Sequence, residues 1–523
     1  MDDDFVHVAP PDEVRISMSL SAEKEAVAYN ETCSMHAMAS LKVDAVEEDE
    51  RAPMELIAVV DRSGSMAGQK LATVLKTLNF LVNKGLRKDD TFGIVTYDHN
   101  ASTALMPTKM DKDGVAQARK AIASIVIGGT TNLSGGLIEG IEHLAAMPTV
   151  KGTMRAVLLF CDGQANVGIE KREDIVAAAK GAMGNQEIVV HTFGFGSDAD
   201  TDTLQAIATS AGGAYYFVED TEAIPLAFGD ALGELSSVVA QNAKLTVFWY
   251  DSVPSLKVLS DYTTRAGKTV DGEDKSVVVE LGDLYGEEVK DIVFEMSLGA
   301  ETVADNDGMK STPLSVRLDY FDVKEKDFRS RHVLLKVWRP EKTPEDQKVN
   351  LELDAAINRL RIAESMKKAA ELADAGDLLA GTQVMRDAVA QAQRTPSSGM
   401  PLMQEMFSDV AALEEKYKDA ASYRSLGAGA TKSAAVAWHS QKSSTHAAGI
   451  YRGSSKGKAR KEASETVLGK RGSDDDDDDD NDDNDDDDND DNDDDDNDNR
   501  GCDTPDPIGR AEAPAPKRQM TEI

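Results

Sequence analysis

At 523 residues the chain can bury the cores of two to four domains, and its 41% hydrophobic share is that of a globular protein. Its charge is less ordinary, with 94 acidic against 57 basic residues and a formal net charge of -37. The run 474–499, made of 20 aspartates and 6 asparagines, leaves -17 on the remainder, and so acidic a surface repels nucleic-acid phosphate and anionic lipid, excluding both as ligands of the folded part.

In residues 14–20, Val14, Ile16, Met18 and Leu20 alternate with Arg15, Ser17 and Ser19, the period of a half-buried strand. A second strand is expected over 37–43. The segment Leu56-Ile57-Ala58-Val59-Val60 differs in kind: a continuous apolar run fits a strand covered on both faces. Behind it, Leu71, Val74, Leu75, Leu78, Leu81 and Val82 recur at helical spacing, with Lys70, Thr73, Lys76 and Asn79 on the other side. Apolar strands at 91–97, 155–161 and 187–193 then alternate with helical stretches at 113–126, 135–146 and 172–183. A last unit at 200–211, 214–218 and 221–240 completes a domain over 54–240. Strand followed by helix, repeated, predicts a doubly wound, Rossmann-like α/β domain built on a parallel sheet.

After Asn242 the pattern changes to strands at 244–250, 276–280, 291–298, 314–321 and 332–338 without helices between them, which predicts an antiparallel β-sandwich over 244–340. The strands of residues 12–46 are expected to join it, making the α/β domain an insertion. Residues 345–425 read as a helical region, with a helix over 349–392 broken at Gly376-Asp377 and another over 402–417. From about 430 to 523 the sequence is rich in Gly, Ser, Ala and Lys, then Asp and Asn, then Pro. It is expected to be a disordered tail.

Cys33, Cys161 and Cys502 are far apart and include no Cys-x-x-Cys pair, which excludes a disulfide framework and a RING-type zinc module. The acidic start Met1-Asp2-Asp3-Asp4 lacks the basic and apolar character of a signal peptide, and no apolar run reaches bilayer length. The expectation is an intracellular protein, cytoplasmic or nuclear, with no membrane partner.

Chemistry concentrates where the first buried strand ends. Asp61-Arg62-Ser63-Gly64-Ser65 lies between that strand and its helix, on the edge where open α/β sheets bind ligands. Asp, Ser and Ser at alternate positions of a tight loop can aim three hard oxygens at one point, which suits Mg2+. Two more loops reach the same edge: Gly128-Gly129-Thr130-Thr131-Asn132 brings a threonine hydroxyl, and Phe160-Cys161-Asp162-Gly163 brings a carboxylate. Asp and Ser are also favoured helix caps, so the first loop alone fits a cap as well as a ligand. The three loops together favour a metal.

Asp61-x-Ser63-x-Ser65, Thr131 and Asp162 resemble the metal-ion-dependent adhesion site (MIDAS) of von Willebrand factor A domains, and the resemblance covers 54–240 in order. It implies a bound Mg2+, or Mn2+ or Ca2+, touched by Ser63, Ser65 and Thr131, with Asp61 and Asp162 acting through water or the serines. The position left open takes an acidic residue of a partner protein. His191-Thr192-Phe193-Gly194-Phe195-Gly196-Ser197-Asp198, the Ala211-Gly212-Gly213 turn, Asn358-Arg359-Leu360 and 373–377 narrow the likeness to an intracellular branch with hedgehog-intein-like (Vint) and helical (Vwaint-like) companion regions. That branch includes the plant RING-type ubiquitin ligases of the wavy-growth family. Without the RING cysteines, ligase activity is not carried over.

Other chemistries fit less well. Neither serine sits in a Gly-x-Ser-x-Gly elbow, and Gln69 and Leu71 break any Walker pattern around Lys70. The eight histidines are scattered singly; His191 reads as a core residue and Cys161 as a small buried hydrophobe. Asp98 and His99 lie near the metal edge, shaping a partner surface or solvating it. The Asp/Asn run reads first as solvated sequence, second as a lure for basic proteins beside Lys456, Lys458, Arg460, Lys461, Lys470 and Arg471. In a third reading it supplies a competing carboxylate to the metal in cis, within a reach of roughly 35 to 40 Å. The expected function is non-enzymatic, metal-dependent protein binding, as an adaptor or scaffold. The alternatives are a ubiquitin-ligation adaptor lacking its own RING and an acidic-tail chaperone of basic proteins.

Overall fold

The computed structural model describes residues 15–469 apart from 48–49, 163, 197–198, 261, 268–274, 303–309 and 445–446. The 474–499 run, with its expected disorder and its partner and competitor roles, lies outside the described residues. Strands β1 (Ile16–Ala22) and β2 (Cys33–Val43) pair antiparallel before the chain enters the α/β domain. That domain runs β3 (Met54–Asp61), α1 (Gln69–Phe80), β4 (Thr91–Tyr97), β5 (Ala101–Lys109), α2 (Lys112–Ala123), α3 (Leu133–Ala145), β6 (Met154–Cys161) and α4 (Arg172–Met183). It ends with β7 (Val189–Phe195), α5 (Thr201–Ser210), β8 (Tyr215–Val218) and α6 (Ala223–Ser236).

Its sheet has the order β5-β4-β3-β6-β7-β8. β3, β4, β6, β7 and β8 are parallel, and every residue of β3, β4 and β6 is buried, as sheets covered by helices on both faces require. β5 was not expected and pairs antiparallel to β4, so the sheet is parallel except at one edge. Its half-exposed residues and Pro107 hid it, since proline is tolerated only where a strand leaves one side unpaired. The chain steps from β3 out to β4 and later returns to β6 on the other side. The switch point therefore falls between β3 and β6, the place where such sheets open a crevice.

After α6 the chain forms β9 (Val238–Trp249), β10 (Ser255–Val258), β11 (Thr263–Ala266), β12 (Ser276–Tyr285), β13 (Val289–Leu298), β14 (Leu314–Asp322) and β15 (Asp327–Leu334). These make two sheets, β1-β2-β13-β10 and β11-β12-β9-β14-β15. Between them Ile16, Leu41, Leu245, Val279, Phe294 and Val316 share one apolar core. β2 pairs with β13 from Cys33 opposite Leu298 to Lys42 opposite Val289, so strands on both sides of the α/β domain complete one sandwich around the insertion. The last strand ends earlier than the expected 332–338. Val337 and Trp338 instead make single bridges to Ser311 and Ala26.

The helical part comprises α7 (Leu351–Asp374), α8 (Leu378–Ala392), α9 (Pro401–Glu415), α10 (Ala420–Ser422), α11 (Ala428–Ser440) and α12 (Ser454–Leu468). It shares a core with the α/β domain: Ile362, Met366, Met403 and Trp438 belong to the same buried cluster as Val59, Leu137, Ile141 and Leu204. The expected disorder from 430 is therefore corrected for 430–444 and 447–469, where the chain is largely helical. α12 lacks an apolar stripe and packs by other means. A Cβ on Gly229 would lie 2.5 Å from the Cα of Arg460, and one on Gly233 2.5 Å from that of Lys456, so α6 and α12 cross antiparallel, backbone against backbone. Among the described residues no helix is long and apolar enough to cross a membrane.

Candidate functional site

Asp61 is the last residue of β3 and is fully buried. Its side chain shapes the loop that follows, because Oδ1 accepts the Ser63 N–H at 2.7 Å, an Asx-type turn. Gly64–Met66 make a single 3-10 turn, Met66 buries itself in the apolar face below, and Gly68, at φ +85, reverses the chain into α1. That anchoring leaves both serine hydroxyls directed to one place. Ser63 Oγ and Ser65 Oγ stand 3.0 Å apart, and Ser65 Oγ donates to Asp162 Oδ1 at 2.7 Å. Asp162 follows the last residue of β6 and is fully buried, so Asp61, Ser63, Ser65 and Asp162 form one chain of contacts across the switch point.

The third loop is tied on by its backbone. Gly64 N–H donates to Gly129 O at 2.9 Å and Gly128 N–H to Arg62 O at 2.7 Å. Thr131 is buried, its N–H donates to Asn166 Oδ1 at 2.9 Å, and Asn166 N–H returns a bond to Thr131 O at 3.1 Å. Asn132 caps α3 through Gly135 N–H and donates its own N–H to Asp98 O. Asp98 in turn pairs with Arg62 at 3.0 Å. His99 lies beside Thr130, its Nδ1 3.4 Å from that hydroxyl. All five residues singled out by sequence thus lie on three loops of one edge, four of them in direct contact.

Two members of this edge were not visible as such in the sequence. Lys70, in the first turn of α1, places Nζ 2.7 Å from Asp162 Oδ2 and is one-third exposed. Asn166 is the reciprocal partner of the Thr131 loop. An amphipathic helix puts Lys70 on its polar face, but only the folded sheet brings the loop after β6 within its reach.

Electrostatics distinguishes the two aspartates. Burial raises Asp61 to about 6, against the Ser63 N–H that favours its charged form and with the Asp162 charge adding to the rise. Its other oxygen meets the Cys161 thiol at 3.6 Å, so Cys161 is buried as expected but also a weak donor. His191 is fully buried as expected, yet half satisfied: Nδ1 accepts from Ala214 N–H while Nε2 has no partner among the described residues. Burial lowers it to about 4, so it is neutral.

The donor set suits a hard divalent cation. Two buried carboxylates and two hydroxyls converge, a cation already stands against one carboxylate, and all the donors are oxygens. Among the described residues no group of three His, Cys, Asp or Glu is arranged to hold a metal ion, so hydroxyls have to complete any ligand set.

A doubly wound sheet with Asp, Ser and Ser leaving its central strand and an Asp leaving the neighbour across the switch point defines a module of the von Willebrand factor A class. The model of the von Willebrand factor type A domain matches residues 55–230, so the chain carries a domain of this type. It is 31% identical over 200 residues to an uncharacterized protein of Synechocystis, covering 38% of this chain and 46% of that one. It is 25% identical over 354 residues to YfbK of Escherichia coli, an uncharacterized protein, covering 66% and 59%. Similarity to the E3 ubiquitin-protein ligase WAV3 of Arabidopsis thaliana is 25% over 245 residues, 45% of this chain and 32% of that ligase. The chain thus spans between a third and three-fifths of these relatives. A von Willebrand factor type A structure from Catenulispora acidiphila superposes with a TM-score of 0.60 at 15% identity, over 80% of this chain and 96% of that one, which shows the shared fold. Domains of this family generally mediate protein–protein interaction and commonly hold a divalent metal.

Proposed function

We propose that the protein is a non-enzymatic adaptor or scaffold. Asp61, Ser63, Ser65, Thr131 and Asp162 hold a divalent cation, Mg2+ or alternatively Mn2+ or Ca2+, and the cation captures an acidic residue of a protein partner. The observation that carries this reading is the contact chain Asp61–Ser63–Ser65–Asp162 at the switch point of the sheet. When bound, the ion supplies a Lewis-acidic position for an external carboxylate. The chain's own residues orient the hydroxyls, exclude water from Asp61 and Asp162, and hold the Thr131 loop in place. The α/β domain is the binding unit in this reading, and the sandwich and helices brace it. We place the protein in an intracellular compartment, cytoplasmic or nuclear; fractionation of cells expressing a tagged chain tests that placement.

The experiment is a capture assay with wild type and Asp61→Ala, each in Mg2+ and in EDTA. Partners retained by wild type in Mg2+ and lost both in EDTA and with Asp61→Ala are the expected result. An identical partner list under all conditions overturns it. The likeness to WAV3 supports a second reading, an adaptor in ubiquitin ligation without its own RING. Ubiquitin-conjugating enzymes among the cation-dependent partners are its expected sign.

A further inference from the structure

The two carboxylates at the rim are not equivalent. Asp162 has both oxygens engaged, Oδ1 by the Ser65 hydroxyl and Oδ2 by the Lys70 ammonium, each at 2.7 Å. Asp61, equally buried, receives the Ser63 N–H on one oxygen and a thiol on the other, both neutral donors. Two buried anions facing one fixed cation carry one net negative charge. A divalent ion added to them reverses that to one net positive charge, and a single carboxylate from outside then neutralises the whole.

We propose that Lys70 sets the charge balance of the rim. It competes with the cation for Asp162, and by withholding one oxygen it keeps a loaded site electropositive enough to hold a monoanionic carboxylate. Lys70 is in this sense a positioning and specificity residue: it acts on the ion and on the ligand through Asp162. The inference rests on the metal-site reading above. Its signature is a pair of effects of opposite sign, because removing the ammonium strengthens the hold of two uncompensated carboxylates on a cation while stripping the loaded site of the charge that attracts an anion.

The test uses the full chain, Mn2+ as the probe ion and acetate as the probe carboxylate. Isothermal titration gives Mn2+ affinity, and water-proton relaxation of the bound Mn2+ reports displacement of its water by acetate. For Lys70→Gln we expect Mn2+ to bind about tenfold tighter and acetate to bind the loaded site severalfold weaker, effects on the order expected for one unit charge at a partly exposed site. Lys70→Arg, which keeps the charge, is expected to track wild type. Parallel changes in both affinities, or no change in either, overturn the role of Lys70 while leaving the metal site standing. Failure of wild type itself to bind Mn2+, or equal binding by Asp61→Ala, overturns the site and the inference together.

Discussion

The α/β domain holds two pairs of buried acids, and they are handled in opposite ways. At the rim, the ammonium of Lys70 contacts Asp162, while Asp61 meets the neutral Ser63 N–H and Cys161 thiol. On α6, Asp230 and Glu234 are equally buried, but Arg452 and Arg460 reach Asp230 at 3.4 and 2.9 Å, and Lys442 and Lys456 reach Glu234 at 2.6 and 3.1 Å. The consequence shows at Glu234. Burial alone would raise it, yet Lys442 and Lys456 hold it well below the usual carboxylate range, while burial raises Asp61 to about 6 and also raises Asp230 against the pull of its two arginines. An acid pair surrounded by the protein's own cations is a clasp, here fastening α12 to α6. A pair left one cation short can accept an ion from outside.

The contrast can be broken at its strongest point first. Glu234→Ala strands Lys442 and Lys456 in the interior and is expected to cost about 3–5 kcal/mol in denaturant titration, the usual result of removing one partner of a buried ion pair. A loss below 1 kcal/mol would show that the clasp does not fasten the fold. His191, beside Glu234, comes next. Its folded value of about 4 lies below its ordinary 6.5, so the stability it contributes is complete above 6.5 and is lost as pH falls from there to 4. The decline is expected to reach about 3 kcal/mol and to flatten in His191→Phe. A wild-type curve without that fall would contradict the buried neutral ring.

Gly233→Val attacks the same clasp through shape, since any Cβ there meets the α12 backbone at 2.5 Å. A cost of about 1–3 kcal/mol is expected. Faster hydrogen exchange should be confined to Ser454–Leu468 and its α6 contacts, with β3 still protected. The smallest stability change belongs to the rim. Asp61→Ala in metal-free buffer should shift stability by about 1 kcal/mol or less. The stabilisation that wild type gains from divalent cation, about 2.7 kcal/mol at a hundred times the dissociation constant, should vanish. A variant that still gains it locates the ion elsewhere.

Legibility in the sequence followed the same divide. β3, β4 and β6 carry the continuous apolar runs 56–60, 92–95 and 156–161, and these runs mark their positions although Glu55, Thr91 and Arg155 stand beside them, because a strand covered on both faces keeps its middle apolar. Asp61, Ser63, Ser65, Thr131 and Asp162 stood out because each sits within a few residues of such a strand or in a glycine-rich loop. β5, half-exposed and carrying Pro107, gave no period to read. α12 gave none either: its grip on α6 comes from glycines on the partner helix and from Lys456 and Arg460 turned inward, whereas periodicity registers only apolar faces. In the sequence the same two residues fall in a basic stretch ahead of the Asp/Asn run. Lys70 and Asn166 were missed for a related reason, since their partners lie 92 and 35 residues away in the chain.

The insertion has a mechanical consequence. The chain enters the α/β domain at the start of β3 and leaves through α6 into β9. Both tethers emerge at the end opposite the rim, where Met154 N–H bonds Pro53 O and Gln241 bridges Gly152 N–H and Thr153 O. A pull delivered by a partner at Asp61 would travel lengthwise down β3. Its ladders to β4 and β6 would then be loaded in shear, many bonds at once, instead of being unzipped one by one. The domain is hung so that traction on its grip falls on a strand buried along its whole length.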